Sequence, residues 1–164
     1  MRTTHGLGLT VLAAVALGNA VPAEASYVLL PSRGTGYYSY VSSYRRWGQP
    51  RMVNGLITMG RRWRASHPGK TLRYGDISKR GGGYFPPHVS HRYGIDVDMS
   101  PITTSGSAGI TSVGYRSYST YYNIQFARLQ RAVWRVRVML HNNRRIPGVT
   151  FWPGHYNHFH TRIY

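Results

Sequence analysis

The chain has 164 residues, of which 21 are lysine or arginine and four are aspartate or glutamate, so its formal net charge is +17. This length fits one domain, and a hydrophobic content of 41% excludes disorder caused by low hydrophobicity. Because cysteine does not occur, a disulfide framework, a thiolate zinc site and a cysteine nucleophile are excluded as well.

The amino terminus has the pattern of an export signal. Arg2 precedes an apolar run at residues 7–17, and an Ala-Glu-Ala sequence ending at Ala25 fits a cleavage site. The run is shorter than the roughly 20 apolar residues that span a bilayer, which argues against a membrane anchor. We therefore expect a signal peptide over residues 1–25, no membrane span elsewhere, and a periplasmic or extracellular location in a bacterial envelope.

The segment after the signal combines an irregular stretch with a helix. Residues 26–47 are rich in Tyr, Ser and Arg, and we interpret them as an irregular lead-in to a domain at residues 48–164. From Pro50 to Trp63 the apolar residues recur about every 3.6 positions, and proline suits a first helical turn. A helix is therefore expected there, followed by a short strand over residues 71–77.

The middle of the chain contains a loop and a strand that bears two acids. Residues 80–87 have the composition of a loop. Between Gly94 and Met99 the apolar residues alternate with Asp96 and Asp98, which predicts a strand with both acids on one face.

The last third predicts one helix and three strands. After a Ser/Thr/Gly-rich loop at residues 101–119, helical spacing runs from Tyr121 to Val133. Strand patterns follow at residues 135–140, 149–152 and 159–163. The expected fold class is α+β, a small antiparallel sheet carrying the functional site and about two flanking helices.

Five of the eight histidines fall in two short clusters. The clusters are His88 with His91, close to the two acids, and His155 with His158 and His160. Without thiolate, Zn²⁺ prefers histidine nitrogen and carboxylate oxygen, and a catalytic zinc site has three protein ligands and one open position. His91, Asp98 and one of His158 or His160 would supply those ligands.

Five motifs follow one another in a characteristic order. They are Gly75-Asp76-Ile77-Ser78, Arg80-Gly-Gly-Gly, Pro87-His88-Val-Ser-His91, Gly94-x-Asp96-x-Asp98 and His155-x-x-His158-x-His160. Together they resemble the penicillin-insensitive murein endopeptidase family, in the group of lysostaphin and the D-alanyl-D-alanine carboxypeptidases. The His-x6-Asp interval differs from the His-x3-Asp of lysostaphin-type enzymes. The resemblance covers about residues 72–99 and 146–163.

The resemblance implies a role for each site residue. It implies one zinc ion bound by His91, Asp98 and His160, and an active-site role for His158. His155 and His88 would support the metal site. From the chemistry of amide hydrolysis alone, His155, Tyr93 or an arginine could stabilise the oxyanion.

Two further acids have open interpretations. Asp96 would orient a ligand imidazole or compensate the charge of arginines. Asp76 would anchor a loop or pair with an arginine, or be an ordinary turn acid.

The implied activity is a secreted zinc metallopeptidase that cleaves peptide cross-links in peptidoglycan through a zinc-activated water. No acid follows Asp98, so histidine must serve as general base, and the ordinary pKa of His158, about 6.5, suits that role. The charge of +17 predicts adsorption to peptidoglycan and anionic wall polymers.

Two alternatives come from other classes of protein. One is a cationic wall-binding module with a non-catalytic metal site, and the other is a secreted metal-dependent nuclease. The export signal argues against an intracellular nucleic acid as partner.

Overall fold

The computed structural model describes residues 26–164, so the expected signal peptide lies outside the described residues. This part contains two α-helices and eight short strands. The strands are β1 (Val28–Leu29), β2 (Arg33–Gly34), β3 (Tyr37–Ser39), β4 (Trp47–Gly48), β5 (Leu72–Tyr74), β6 (Asp96–Met99), β7 (Val136–Leu140) and β8 (Phe159–Ile163). The helices are α1 (Pro50–Ser66) and α2 (Thr120–Val133), and neither is long and apolar enough to cross a membrane.

Six strands form one sheet, in the order β2-β3-β5-β6-β8-β7. Neighbouring strands are antiparallel except β3 and β5, which run parallel. Strands β1 and β4 form a separate antiparallel pair. The expected α+β class, a small and mainly antiparallel sheet with two helices, is confirmed.

The two faces of the sheet have different chemistry. On β6, Val97 and Met99 are fully buried in the hydrophobic core. Successive side chains of a strand point to opposite faces, so Asp96 and Asp98 share the other face, as the alternation predicted. In the antiparallel register with β8, Asp98 pairs with His160. The side of the sheet away from the core therefore carries a row of ionisable groups.

Both helices close the core on the apolar face. Helix α1 begins at Pro50, as expected, and buries Trp63. Helix α2 is capped by Ser119, whose hydroxyl accepts a hydrogen bond from the backbone N–H of Tyr122. The rings of Trp63 and Phe126 meet edge to face with centroids 6.1 Å apart. These contacts hold the scaffold on which the polar face rests.

Residues 26–47 differ from the expected irregular lead-in, because they contribute β1 to β3, the start of β4 and a 3-10 helix at Ser43–Arg45. Leu30 and Tyr37 are buried in the core, and Tyr37 pairs with Leu72 of β5. Strands of two or three residues are too short to show a period of two, so the sequence alone does not reveal them.

The prediction of a strand over residues 149–152 is wrong. Thr150 makes a single β-bridge with Leu140, and its neighbours are not part of a strand. Turns at Pro147-Gly148 and Pro153-Gly154 redirect the chain on either side, so only Thr150 finds a backbone partner.

Candidate metal centre

The candidate site forms where β6, β8 and the loop before β6 meet. Asp98 and His160 lie side by side on neighbouring strands, while His91 reaches them from the loop. The backbone carbonyl of His91 accepts a hydrogen bond from the buried hydroxyl of Ser78 at 2.6 Å. The loop is thereby tied to the chain segment that leaves β5.

Three donor atoms converge at this point. His91 Nε2 lies 3.2 Å from His160 Nδ1 and 3.4 Å from Asp98 Oδ1, and His160 Nδ1 lies 3.0 Å from Asp98 Oδ1. In a tetrahedral zinc site with bonds of about 2.0–2.1 Å, two ligand atoms are about 3.3 Å apart. The three atoms therefore have the mutual spacing that one such ion requires.

Hydrogen bonds on the far side of each ring fix which nitrogen is free. His91 Nδ1 donates to the carbonyl of Ile77 at 2.8 Å, and His160 Nε2 lies 3.1 Å from Asp96 Oδ1. Each ring is then held with its other nitrogen toward Asp98. Lone pairs of His91 Nε2 and Asp98 facing each other are unfavourable without a cation, so the donor set fits a metal ion.

His88 belongs to the same group. Its Nε2 donates to Asp76 Oδ2 at 2.7 Å, and its Nδ1 lies 3.7 Å from Asp98 Oδ2. Donor atoms of His88, His91 and Asp98 all lie within 4.8 Å of one another, so these three could hold a metal ion. Asp76 also accepts from Arg45 at 2.5 Å, so it pairs with an arginine and anchors His88, beyond an ordinary turn role.

Asp96 contacts both an imidazole and an arginine, the two kinds of partner that its open interpretations name. Its Oδ1 accepts from His160 Nε2 and from Arg162 Nε, the latter at 2.8 Å, and the carboxylate is fully buried. Arg162 also donates to the carbonyl of Ser90 at 2.9 Å, which connects β8 to the histidine loop.

Burial and charge act in opposite directions on the buried ionisable groups. Burial alone would raise the pKa of Asp98, but the neighbouring His160 and His91 hold that pKa well below its usual range. Burial alone would lower the pKa of His160, but hydrogen bonds to Asp96 and Asp98 raise it to about 9. Without a metal, a proton on His160 therefore takes the place of a cation between the two carboxylates.

An open cleft of about 580 Å³ leads to these groups, and we call it the histidine cleft. It is lined by His88, Val89, Ser90, Asp98, Leu140, Trp152, His155, His158 and His160. All the histidines of the two sequence clusters except the buried His91 thus line one cleft. Tyr93, which is 61% exposed, is not among these residues.

His158 does not lie on the strand with His160, because β8 begins at Phe159. Its Nδ1 lies 2.8 Å from the side-chain oxygen of Asn157, so that nitrogen donates and Nε2 carries the lone pair. Burial lowers the pKa of His158, which keeps the ring neutral near pH 7. The His155 ring centroid lies 4.7 Å from that of His158 and 6.0 Å from that of His160.

His141, outside the sequence clusters, proves to support this loop. Its buried ring donates from Nδ1 to the carbonyl of His158 at 2.8 Å and contacts the hydroxyl of Tyr118 at 2.8 Å. It also stacks on Phe159 at 4.0 Å between ring centroids. A lone histidine after a strand has no sequence signal for such a role.

A second cleft of about 290 Å³ shares Asp98 and His158 with the first, and we call it the arginine cleft. Its lining also includes Tyr40, Arg73, Ser100, Gly109, Ile110, Thr111, Ser112, Tyr115 and Asn157. The sequence assigned none of these additional residues to the site, because they come from five separate parts of the chain.

Fold and site together define an α+β domain with a candidate metal centre of three histidines and one buried aspartate. The model of the penicillin-insensitive murein endopeptidase family matches residues 21–132, so the chain belongs to that family. The match includes His88, His91 and Asp98 and ends before the last histidine cluster.

A curated relative carries the same name. The penicillin-insensitive murein endopeptidase of Haemophilus influenzae is 38% identical over 72 residues, which are 43% of this chain and 25% of the relative. The chain therefore spans about a quarter of the length of the curated relative it matches.

Proposed function

We propose that this protein is an exported zinc peptidase that hydrolyses peptide cross-links in peptidoglycan. The observation that carries the proposal is the set of three donor atoms, 3.0–3.4 Å apart, at the junction of two open clefts. Membership in the murein endopeptidase family supports the substrate class.

We assign the zinc ligands as His91, Asp98 and His160, with His88 as a supporting group nearby. A zinc ion bound there supplies a Lewis acid that acidifies water and polarises the amide carbonyl. Asp96 orients His160 through the hydrogen bond to Nε2, and the Ile77 carbonyl orients His91 in the same way.

His158 is the proposed general base. Its Nε2 has a free lone pair because Nδ1 donates to Asn157, and its lowered pKa leaves the ring ready to accept a proton at neutral pH. The same ring borders both clefts, so a peptide lying across them passes it. We propose that His155, whose ring lies at an angle beside that of His158, supports the site where an oxyanion develops.

The charge supports the proposed location and partner. A domain with a net charge of +17 adsorbs to anionic wall polymers, and the adsorption weakens with added salt. The family's substrate lies outside the cytoplasm, which agrees with the export signal expected over residues 1–25.

The test is digestion of purified peptidoglycan by the zinc-loaded protein, followed by mass spectrometry of the muropeptides. We expect cross-linked dimers to decrease and monomers to increase, and a chelator to stop the reaction. His158→Gln should keep zinc and lose hydrolysis, whereas His91→Ala should lose zinc. His67→Gln is the matched control, since His67 stacks on Trp63 away from the site and its loss should leave zinc content and rate unchanged.

The alternatives give different results in the same experiment. Binding to peptidoglycan without any change in cross-linking would favour a wall-binding module. Chelator-sensitive degradation of DNA without release of monomers would favour a nuclease. Full activity of His158→Gln would refute the assignment of the base while leaving the peptidase itself standing.

A further inference from the structure

Arg73 is the single lysine or arginine that lines either cleft in the described part of the chain. It lies on β5, where Leu72 and Tyr74 on either side are buried in the core. Its side chain therefore points to the same face of the sheet as Asp98. Its position beside the proposed reaction site distinguishes Arg73 from the other arginines of the described residues.

Two contacts fix the orientation of the Arg73 guanidinium. It lies over the ring of Tyr40 at 3.6 Å from the centroid, and its Nη1 donates to the hydroxyl of Ser100 at 2.8 Å. Gly75 makes room for the ring, since a Cβ there would come within 2.5 Å of the Tyr40 hydroxyl. Stacking and one hydrogen bond orient the fork and leave other N–H groups for a ligand.

No carboxylate of the described residues forms an ion pair with Arg73. Asp76 pairs with Arg45, Asp96 with Arg162, and Asp98 is held by histidines. An arginine fork so oriented, with no carboxylate paired to it, is suited to a carboxylate brought by a ligand.

We propose that the arginine cleft is a carboxylate subsite in which Arg73 binds the free carboxylate next to the scissile amide. This inference rests on the proposed function. In some cross-links from D-alanine to a diamino acid, the carbon attached to the scissile nitrogen also carries a free carboxylate. Asp98, His158 and Arg73 border the same cleft, so an amide held at the metal centre would direct its neighbouring carboxylate into the cleft that contains the fork. Arg73 is thus a specificity-determining residue, and cross-links to lysine, which lack this carboxylate, are poor substrates.

The test compares two synthetic cross-linked peptide dimers that differ only at this carboxylate, which is free in one and a carboxamide in the other. With the zinc-loaded protein we expect kcat/KM to be about 10- to 100-fold higher for the free acid, the size of a charge-assisted hydrogen bond. Arg73→Gln should lose this preference, mainly through a higher KM for the free-acid dimer. Its kcat/KM for the carboxamide dimer should stay within about threefold of the wild-type value.

Two further variants separate recognition from folding. Arg73→Lys keeps the charge without the fork and should retain part of the preference. Arg128→Gln, an exposed arginine of α2, is the matched control and should leave both rates unchanged. Zinc content and thermal unfolding are measured for each variant.

The outcomes separate this inference from the proposed function. Equal cleavage of acid and amide by the wild type would overturn the subsite, whatever the variants do, while the peptidase would stand. Equal slowing of both substrates by Arg73→Gln would also overturn it. If the wild type cleaved neither dimer and released no monomers from peptidoglycan, the proposed function itself would fail.

Discussion

The ionisation of His160 makes a quantitative prediction about the metal-free protein. His160 holds a proton between Asp96 and Asp98, with its pKa raised from 6.5 to about 9. Below pH 6.5 the folded and unfolded chains both carry this proton, and the stabilisation is complete. Above pH 6.5 the unfolded chain releases the proton first, so the stabilisation is lost as pH rises through 9.

The size of the effect follows from the two pKa values. A pKa raised from 6.5 to about 9 corresponds to about 3 kcal/mol in the free energy of unfolding. Urea unfolding of the chelator-treated protein at pH 6, 7.5 and 9, at constant ionic strength and followed by tryptophan fluorescence, measures it. His160→Gln is the control, because it removes the titrating group and should flatten this dependence.

Zinc should change how the free energy of unfolding depends on pH. Metal competes with the proton for His160, so the zinc-loaded protein should not lose stability over the same pH range. If metal-free wild type were as stable at pH 9 as at pH 6, or if His160→Gln kept the full dependence, the proposed proton between the two aspartates would be refuted.

Three other predictions concern the shell of the site and the core. Asp96→Asn should weaken zinc binding about 10- to 100-fold in a competition assay, because the group orienting His160 loses its charge. Asp76→Asn should weaken zinc binding less. Equal zinc affinities of Asp96→Asn and the wild type would contradict the role of Asp96. Burial lowers the pKa of His141 from 6.5 to about 4, so stability should fall by about 3 kcal/mol as pH drops through this range, with a shallower fall for His141→Gln. Phe126→Ala should cost about 3–5 kcal/mol in urea unfolding, since the ring is fully buried against Trp63, and a loss below 1 kcal/mol would contradict that packing.

Elements with a strong local pattern could be predicted from the sequence. Helix α1 and strand β8 match the expected segments closely, because an apolar period of 3.6 or 2 reflects which face is buried. The strands before residue 48 could not be predicted, since each has two or three residues and depends on distant partners. The strand expected at residues 149–152 does not form for a related reason. Only Thr150 has a backbone partner, Leu140, and the local sequence does not show which residues find such partners.

The candidate site also has features that the sequence predicts and features that it does not. The spacing of Asp96 and Asp98 is local, and it alone determined that both carboxylates share a strand face. The family resemblance, confirmed by the match to residues 21–132, also rests on short contiguous motifs. The ligand and base assignments carried with it stay predictions, which the zinc and activity measurements test.

Only the tertiary structure decided how the groups meet. His91 and His160 are 69 positions apart, yet their nitrogens lie 3.2 Å from each other, and atoms from elsewhere in the chain set which nitrogen is free. The same holds for His88, drawn into the group by Asp76, and for Arg73, held by Tyr40 and Ser100. Hydrogen-bond partners, burial and pKa depend on neighbours in space, and the linear order of residues does not contain them.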